Sequence, residues 1–224
     1  MTPDADSQKR RIFIVDDHPL VREWLATLIN QQSDLKICGE AGSASEGLQL
    51  IATAKPHVAI VDISMEGGSG IELIKDIKAN CPQVAVIVLS MHDELLYSER
   101  AVRAGARGYI LKREATKNVL QALRCVLEGK LYLSDKTARF MAEKFMKGSR
   151  PRTGSPVELL SDRELETFQL LGRGWSTRQI AQEMHVSFRT IQAFSARIKE
   201  KLDLSSANEL LREAVRFHDG PDSK

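Results

Sequence analysis

The sequence predicts a chain of two parts, a doubly wound α/β sandwich on five parallel strands and a small all-α domain behind it. Three observations carry this. Up to residue 130, five short apolar runs alternate with stretches of helical periodicity. Near residue 150 comes "SRPRTGSP", a polar run of Pro, Gly and Ser typical of a linker. Beyond it the strand signal disappears, and short helical patterns follow capping residues.

The elements follow in order. "RIFIV" (11–15) reads as a strand and "LVREWLATLIN" (20–30) as an amphipathic helix. "LKICGEA" (35–41) is the second strand. Ser43 with Glu46 forms a capping-box pattern that opens a helix to Ala54. "VAIV" (58–61), "VAVIVLS" (84–90) and "GYIL" (108–111) complete the strands. Helices are expected over 71–80, over 94–105 (ended by glycine) and over 116–129. The strands are nearly unbroken apolar runs, as parallel sheets covered by helices on both faces require. Right-handed crossovers then give an open sheet, and the order 2-1-3-4-5 makes the first and third strands neighbours. The expected division is 10–130, a linker at 131–157 with one helix over 134–148, and a helical domain at 158–217.

Composition sets limits. The chain has 224 residues, 42% hydrophobic and 28% charged, with a net charge of +2. That is a globular composition with room for two domains. No apolar run approaches a membrane span, and the N-terminus has no signal-peptide core, so a cytoplasmic location is expected. Cys38, Cys81 and Cys125 are unpatterned, which predicts free thiols rather than disulfides or a zinc site. Charge is not segregated, so a nucleic-acid partner has to be argued from local pattern.

The local pattern is sharpest at the strand ends. Asp16 and Asp17 follow the first strand, and Asp62 ends the third, just before a glycine-rich loop. With those strands adjacent, three carboxylates converge, and like charges so close call for a cation. Hard oxygen ligands in a partly wet site suit Mg²⁺, which often bridges to a phosphate. Ser90 ends the fourth strand and Lys112 follows the fifth, a hydroxyl and an ammonium on the same rim. Each alone is commonplace, since aspartate at a strand end is also a helix cap. The force lies in four of five strands ending in groups that a metal–phosphate site could use.

"FIVDDHPLVRE", "VDISMEGGSG", "VLSMHDE" and "RAGARGYILK" resemble the receiver domain of bacterial two-component response regulators of the NarL/FixJ type. The resemblance implies that Asp62 accepts a phosphoryl group from a sensor histidine kinase. It implies Mg²⁺ held by Asp16, Asp17, Asp62 and the carbonyl of Ser64. Ser90 and Tyr109 would be the switch residues, and Lys112 the phosphoryl contact. Glu66 departs from the proline frequent at its place, which predicts a changed loop shape with the chemistry kept.

In the last sixty residues, Ser161/Glu164 and Ser176/Gln179 are capping pairs, and Ser187 caps a third helix. A fourth helix is expected over 206–217. Helix, tight turn and helix read as a DNA-binding unit or as generic helix packing. "LSDRELETFQLLGRGWSTRQIAQEMHVSFRTIQ" with "RIKEKLDL" resembles the LuxR-type helix-turn-helix domain. That implies a helix over 187–201 entering the major groove, with Arg189, Thr190, Arg197 and Lys199 on phosphates and Gln192, Ala193 and Ala196 on the groove face. It implies homodimer contacts through Leu210, Leu211, Ala214 and Val215. "TIQAF" departs from the family's "TVKxH", with Gln192 for lysine and Phe194 for histidine, which predicts weaker or more selective DNA binding.

The leading expectation is thus a phosphorylation-controlled transcription regulator that is not an enzyme. Its partners would be a sensor kinase and double-stranded promoter DNA, and it would form a homodimer when phosphorylated. A receiver-type interaction protein with little DNA binding is the alternative. An Mg²⁺-dependent phosphohydrolase fits less well, because Ser64 stands where such enzymes carry an acid/base aspartate.

Overall fold

A computed structural model describes residues 9–65, 68–91, 94–146 and 156–219. The chain forms two compact units, residues 1–148 and 149–224.

The first unit alternates strand and helix: β1 (Arg10–Val15), α1 (Pro19–Asn30), β2 (Leu35–Ala41), α2 (Ala44–Ala54) and β3 (Val58–Asp62). After β4 (Ser64–Met65) and β5 (Gly68–Ser69) come α3 (Gly70–Asn80), β6 (Ala85–Ser90), α4 (Glu94–Ala104), β7 (Gly108–Leu111), α5 (Ala115–Leu127) and α6 (Asp135–Met146). The main sheet is ordered β2-β1-β3-β6-β7, and every neighbouring pair is parallel. That is the expected order once the two-residue strands β4 and β5 are set aside. Those two form a small antiparallel hairpin that the sequence analysis did not anticipate; two residues are too short for any periodicity.

The unbroken apolar runs are explained by burial on both faces. All five residues of β3 are buried, Asp62 among them. Ile12, Ile14, Leu25, Ile29, Ile60 and Ile87 pack with Val119 and Leu123 in the main core. Each such side chain contributes roughly 1.5–3 kcal/mol of burial. Glycine stops α4 as expected, with Gly105 at a φ of 117°.

Past α5 the chain turns back to the sheet. The Tyr132 amide donates to the Arg107 carbonyl at 2.9 Å, and its carbonyl accepts from the Tyr109 amide at 3.0 Å. Helix α6 then packs against α4. The stretch read as a linker thus begins with residues built into the first unit. Its Pro/Gly/Ser part, through residue 155, lies outside the described residues, as do Glu66 and the loop shape expected of it.

The second unit has a short 3-10 turn (Pro156–Leu159), then α7 (Asp162–Gly172), α8 (Thr177–Glu183), α9 (Phe188–Lys201) and α10 (Ala207–Asp219). Both expected capping boxes form, Ser161 with Glu164 and Ser176 with Gln179. The Ser187 hydroxyl accepts from the Thr190 amide at 3.1 Å and opens α9. Leu170, Ile180, Ala181, Met184 and Ile191 form a core between α7, α8 and α9. Helix α10 lies on α7, so close that a Cβ at Gly172 would stand 2.4 Å from the Ala214 carbonyl oxygen.

Candidate functional sites: an acidic pocket and an exposed helix face

The acidic pocket sits at the carboxyl edge of the main sheet, where open α/β folds bind ligands. β1 delivers Asp16 and Asp17, β3 ends on Asp62, β6 ends on Ser90, and Lys112 follows β7. Asp16 and Asp62 are buried. Lys112 Nζ lies 2.6 Å from Asp62 Oδ2 and 2.9 Å from Asp16 Oδ2, so one ammonium joins two strands' carboxylates. The Ser64 amide donates to Asp62 Oδ1 at 3.2 Å. Ser90 and Tyr109 are both buried in this structure, the tyrosine ring inward.

Gly70 explains the glycine-rich loop beside the carboxylate. A Cβ there would stand 2.0 Å from the Asp62 carbonyl oxygen and 2.7 Å from Ile63 Cα. Only glycine lets the start of α3 press against the Asp62 backbone.

Two further residues belong to the pocket: His18, which the sequence left open between the pocket rim and a helix start, and Arg22, which it did not single out. His18 Nδ1 lies 3.2 Å from Asp16 Oδ1 and 2.7 Å from Asp17 Oδ1, and the His18 amide donates to Asp16 Oδ1 at 2.9 Å. Arg22 donates through Nη1 to the Asp16 carbonyl at 2.7 Å, and its Nε is 3.4 Å from Glu40 Oε2. The signal for His18 was adjacency to the two aspartates. For Arg22 it was one turn of helix, which alone says little.

The electrostatics follow from burial. Asp62 is pushed up to about 6, first by desolvation and further by Asp16, with Lys112 pulling the other way. Burial pulls Lys112 down, but Asp62 and Asp16 overcome it and hold the ammonium above its ordinary value. Donor atoms of Asp16, Asp17, His18 and Asp62 lie within 4.8 Å of one another. Three carboxylates against one ammonium leave two negative charges, and the carboxylate donors are hard oxygens, so these aspartates fit a divalent cation of the Mg²⁺ kind.

In the second unit, α9 presents its polar face outward. Arg189, Gln192, Ala193, Ala196 and Arg197 are exposed, while Thr190 and Lys199 are partly covered. The Thr190 hydroxyl lies 2.8 Å from that of Ser187, so it is shared with the cap. Arg189, Arg197 and Lys199 form no ion pair with a described residue. Phe188, overlooked in the sequence, is 45% exposed on the first turn of the same helix. Opposite, Lys201 Nζ reaches Glu164 Oε2 at 2.6 Å and ties the end of α9 to the cap of α7.

The four residues expected at a dimer contact divide by burial. Leu210 and Ala214 are buried against α7 inside their own unit, because α10 crosses α7 at Gly172. Of the four, Leu211 and Val215 remain exposed.

No helix among the described residues is long and apolar enough to cross a membrane. Residues 12–124 match the family model of the response regulator receiver domain, and residues 158–214 that of the bacterial regulatory proteins of the luxR family. The chain is 33% identical over 210 residues to the oxygen regulatory protein NreC of Staphylococcus haemolyticus, covering 92% of this chain and 97% of the relative. A LuxR-family two-component response regulator from Aurantimonas sp. has a similar structure (TM-score 0.57, 30% identity), covering 62% of this chain and 99% of the other. RcsB from Salmonella enterica serovar Typhimurium, solved on the rprA promoter with the phosphomimetic BeF3-, aligns over 93% of this chain and 99% of its own (TM-score 0.57, 26% identity). The sheet with its acidic edge, the helical unit that follows it in sequence and these matches agree: the chain belongs to the two-component response regulators of the NarL/FixJ type, phosphorylation-controlled transcription regulators with a receiver domain and a LuxR-type helix-turn-helix domain.

Proposed function

We propose that Asp62 is the phosphoacceptor and that its modification controls DNA binding by the α9 face. The observation that carries this is the Lys112 ammonium bridging Asp62 and Asp16 among three clustered carboxylates. In the transfer, an Asp62 oxygen forms a bond to phosphorus as the bond between phosphorus and the donor breaks, and that electron pair leaves with the donor. The donor expected for a receiver is a sensor histidine kinase. Asp16, Asp17, Asp62 and the Ser64 carbonyl would hold Mg²⁺. The ion supplies charge neutralisation and orientation of the phosphoryl oxygens.

This chain's own residues do the rest. Lys112 leaves Asp16 to follow the new phosphoryl oxygens, which exchanges one buried ion pair for another. The Ser90 hydroxyl, at the next strand end, donates to the phosphoryl group. Tyr109 stays inward behind it. His18 and Arg22 fix the loop that carries Asp16 and Asp17.

For the DNA side, Arg189, Arg197 and Lys199 contact phosphates, with Thr190 contributing its shared hydroxyl. Gln192, Ala193 and Ala196 meet base edges. Leu211 and Val215 supply the exposed apolar part of a homodimer contact, which phosphorylation promotes. The promoter-bound RcsB structure supports DNA as the partner class. A second reading, an interaction protein with weak DNA binding, draws on Gln192, Ala193 and Ala196, which leave the centre of the face without a cation.

The test takes DNA selected from a random library and measures retention with and without Mg²⁺ and a small phosphodonor. Binding should tighten on phosphorylation in the native chain and stay constant in Asp62→Asn. Equal tightening in both would remove Asp62 from control, and no selectable DNA would favour the second reading.

A further inference from the structure

At the amino edge of the same sheet, opposite the acidic pocket, a cavity of about 300 Å³ opens. The starts of β1, β3, β6 and β7 and the ends of α3 and α5 surround it. His57, just before β3, lines it, and Asp62 lies five residue steps further along the strand, roughly 17 Å away. The two sites therefore do not overlap.

Its charge is one-sided. Arg10, Lys78 and Arg107 line it with His57, and no carboxylate is among the lining residues. None of the three permanent cations forms an ion pair with a described residue. Basic side chains often complement helix carboxyl ends, and α3 and α5 both end here. Each such end carries only about half a negative charge, so three full cations outweigh two ends. Arg10 and Arg107 also stand at strand starts rather than on those helices.

His57 senses the same field. Its Nδ1 accepts from the Arg11 amide at 3.0 Å, which leaves Nε2 to carry the proton of the neutral ring. Burial lowers its affinity for a second proton, and Arg10 and Arg11 lower it further. Lys78 reaches the cavity from the last turn of α3. Its stem lies along Gly105, where a Cβ would stand 3.2 Å from Lys78 Cγ.

Cations that line one cavity without a counter-charge among the lining residues repel one another, and a bound anion relieves that repulsion. Arginine forks match phosphate oxygens. Val84, Val126 and Leu127 add apolar wall. The volume is at the lower end for small-ligand pockets, about the size of a nucleoside monophosphate.

We propose that this cavity binds a small phosphate monoester, with the phosphate among Arg10, Lys78 and Arg107 and the organic part against Val84, Val126 and Leu127. The test uses the full chain, freed of Mg²⁺ by chelation. It is titrated with adenosine 5′-monophosphate, inorganic phosphate and adenosine while the His57 imidazole signal, assigned with His57→Gln, is followed by NMR. The monophosphate should give a saturable shift at concentrations about tenfold below those needed with inorganic phosphate, roughly the worth of one good apolar contact. Adenosine should give none. The double variant Lys78→Gln/Arg107→Gln, altered only at exposed side chains, should keep its melting temperature and lose the shift. Absence of a saturable shift, its survival in the double variant, or an equal response to adenosine would overturn the site. Equal response to inorganic phosphate would overturn the ester.

Discussion

Asp62 pays a desolvation cost for its place at the end of a buried strand, and that cost has a sign. Its folded pKa, about 6, lies above the ordinary 3.8. The folded state therefore binds the proton more tightly than the unfolded one. Stability in the absence of Mg²⁺ should fall as the pH rises from about 4 to about 6, and stay low above that. Asp62→Asn removes the ionisation. At pH 7.5 in chelator it should be more stable than the native chain by up to about 3 kcal/mol, with the gap closing near pH 4. Urea melts at the two pH values check this, and an equal gap at both would assign the effect to something other than charge. At this scale the sequence was readable where polar groups interrupt apolar runs: Asp16, Asp17, Asp62, Ser90 and Lys112 all stand at such breaks. His18 was readable only in part, by its adjacency to the two aspartates, and Arg22 was not, since a polar residue at a helix start has many other reasons to be there.

Among elements, two close approaches hold the architecture together. Gly70 lets α3 begin against the Asp62 carbonyl, and Gly172 lets α10 lie on α7. Gly70→Ala should destabilise the first unit by about 1–3 kcal/mol through forced backbone movement and slow phosphorylation of Asp62. Unchanged melting and phosphorylation would show that the loop yields freely. On α9, Gln192→Lys adds a cation to an exposed face. It should tighten binding to random DNA and steepen the logarithmic salt dependence by about 0.9 per added phosphate contact. Filter binding across a salt series reads both, and an unaltered slope would place residue 192 away from the backbone. The elements themselves were legible to within a residue or two because capping pairs and unbroken apolar strands are local signals. The hairpin of β4 and β5, the return of Tyr132 to the sheet and the inward turn of Leu210 and Ala214 were not, because each depends on contacts remote in sequence.

For the whole molecule, the question is how a charge at Asp62 reaches the DNA-binding face. If Asp62 is the acceptor, control is a population shift between two arrangements of the chain and needs no new fold. Two routes are separable. Deleting residues 1–148 should raise DNA affinity if the first unit occludes α9. An unchanged affinity would leave dimerisation through Leu211 and Val215 as the switch. Under that second route, Leu211→Asp should leave the phosphorylated chain monomeric in sedimentation and abolish its preference for paired half-sites. A persistent dimer would place the contact elsewhere.

All of this rests on Asp62 as the acceptor. The most direct measurement is the intact mass of the native chain and of Asp62→Ala after incubation with Mg²⁺ and a small phosphodonor. With Asp62 as the acceptor, the native chain gains one phosphoryl group and the variant gains none. No addition to the native chain, or the same addition to both, would contradict that role.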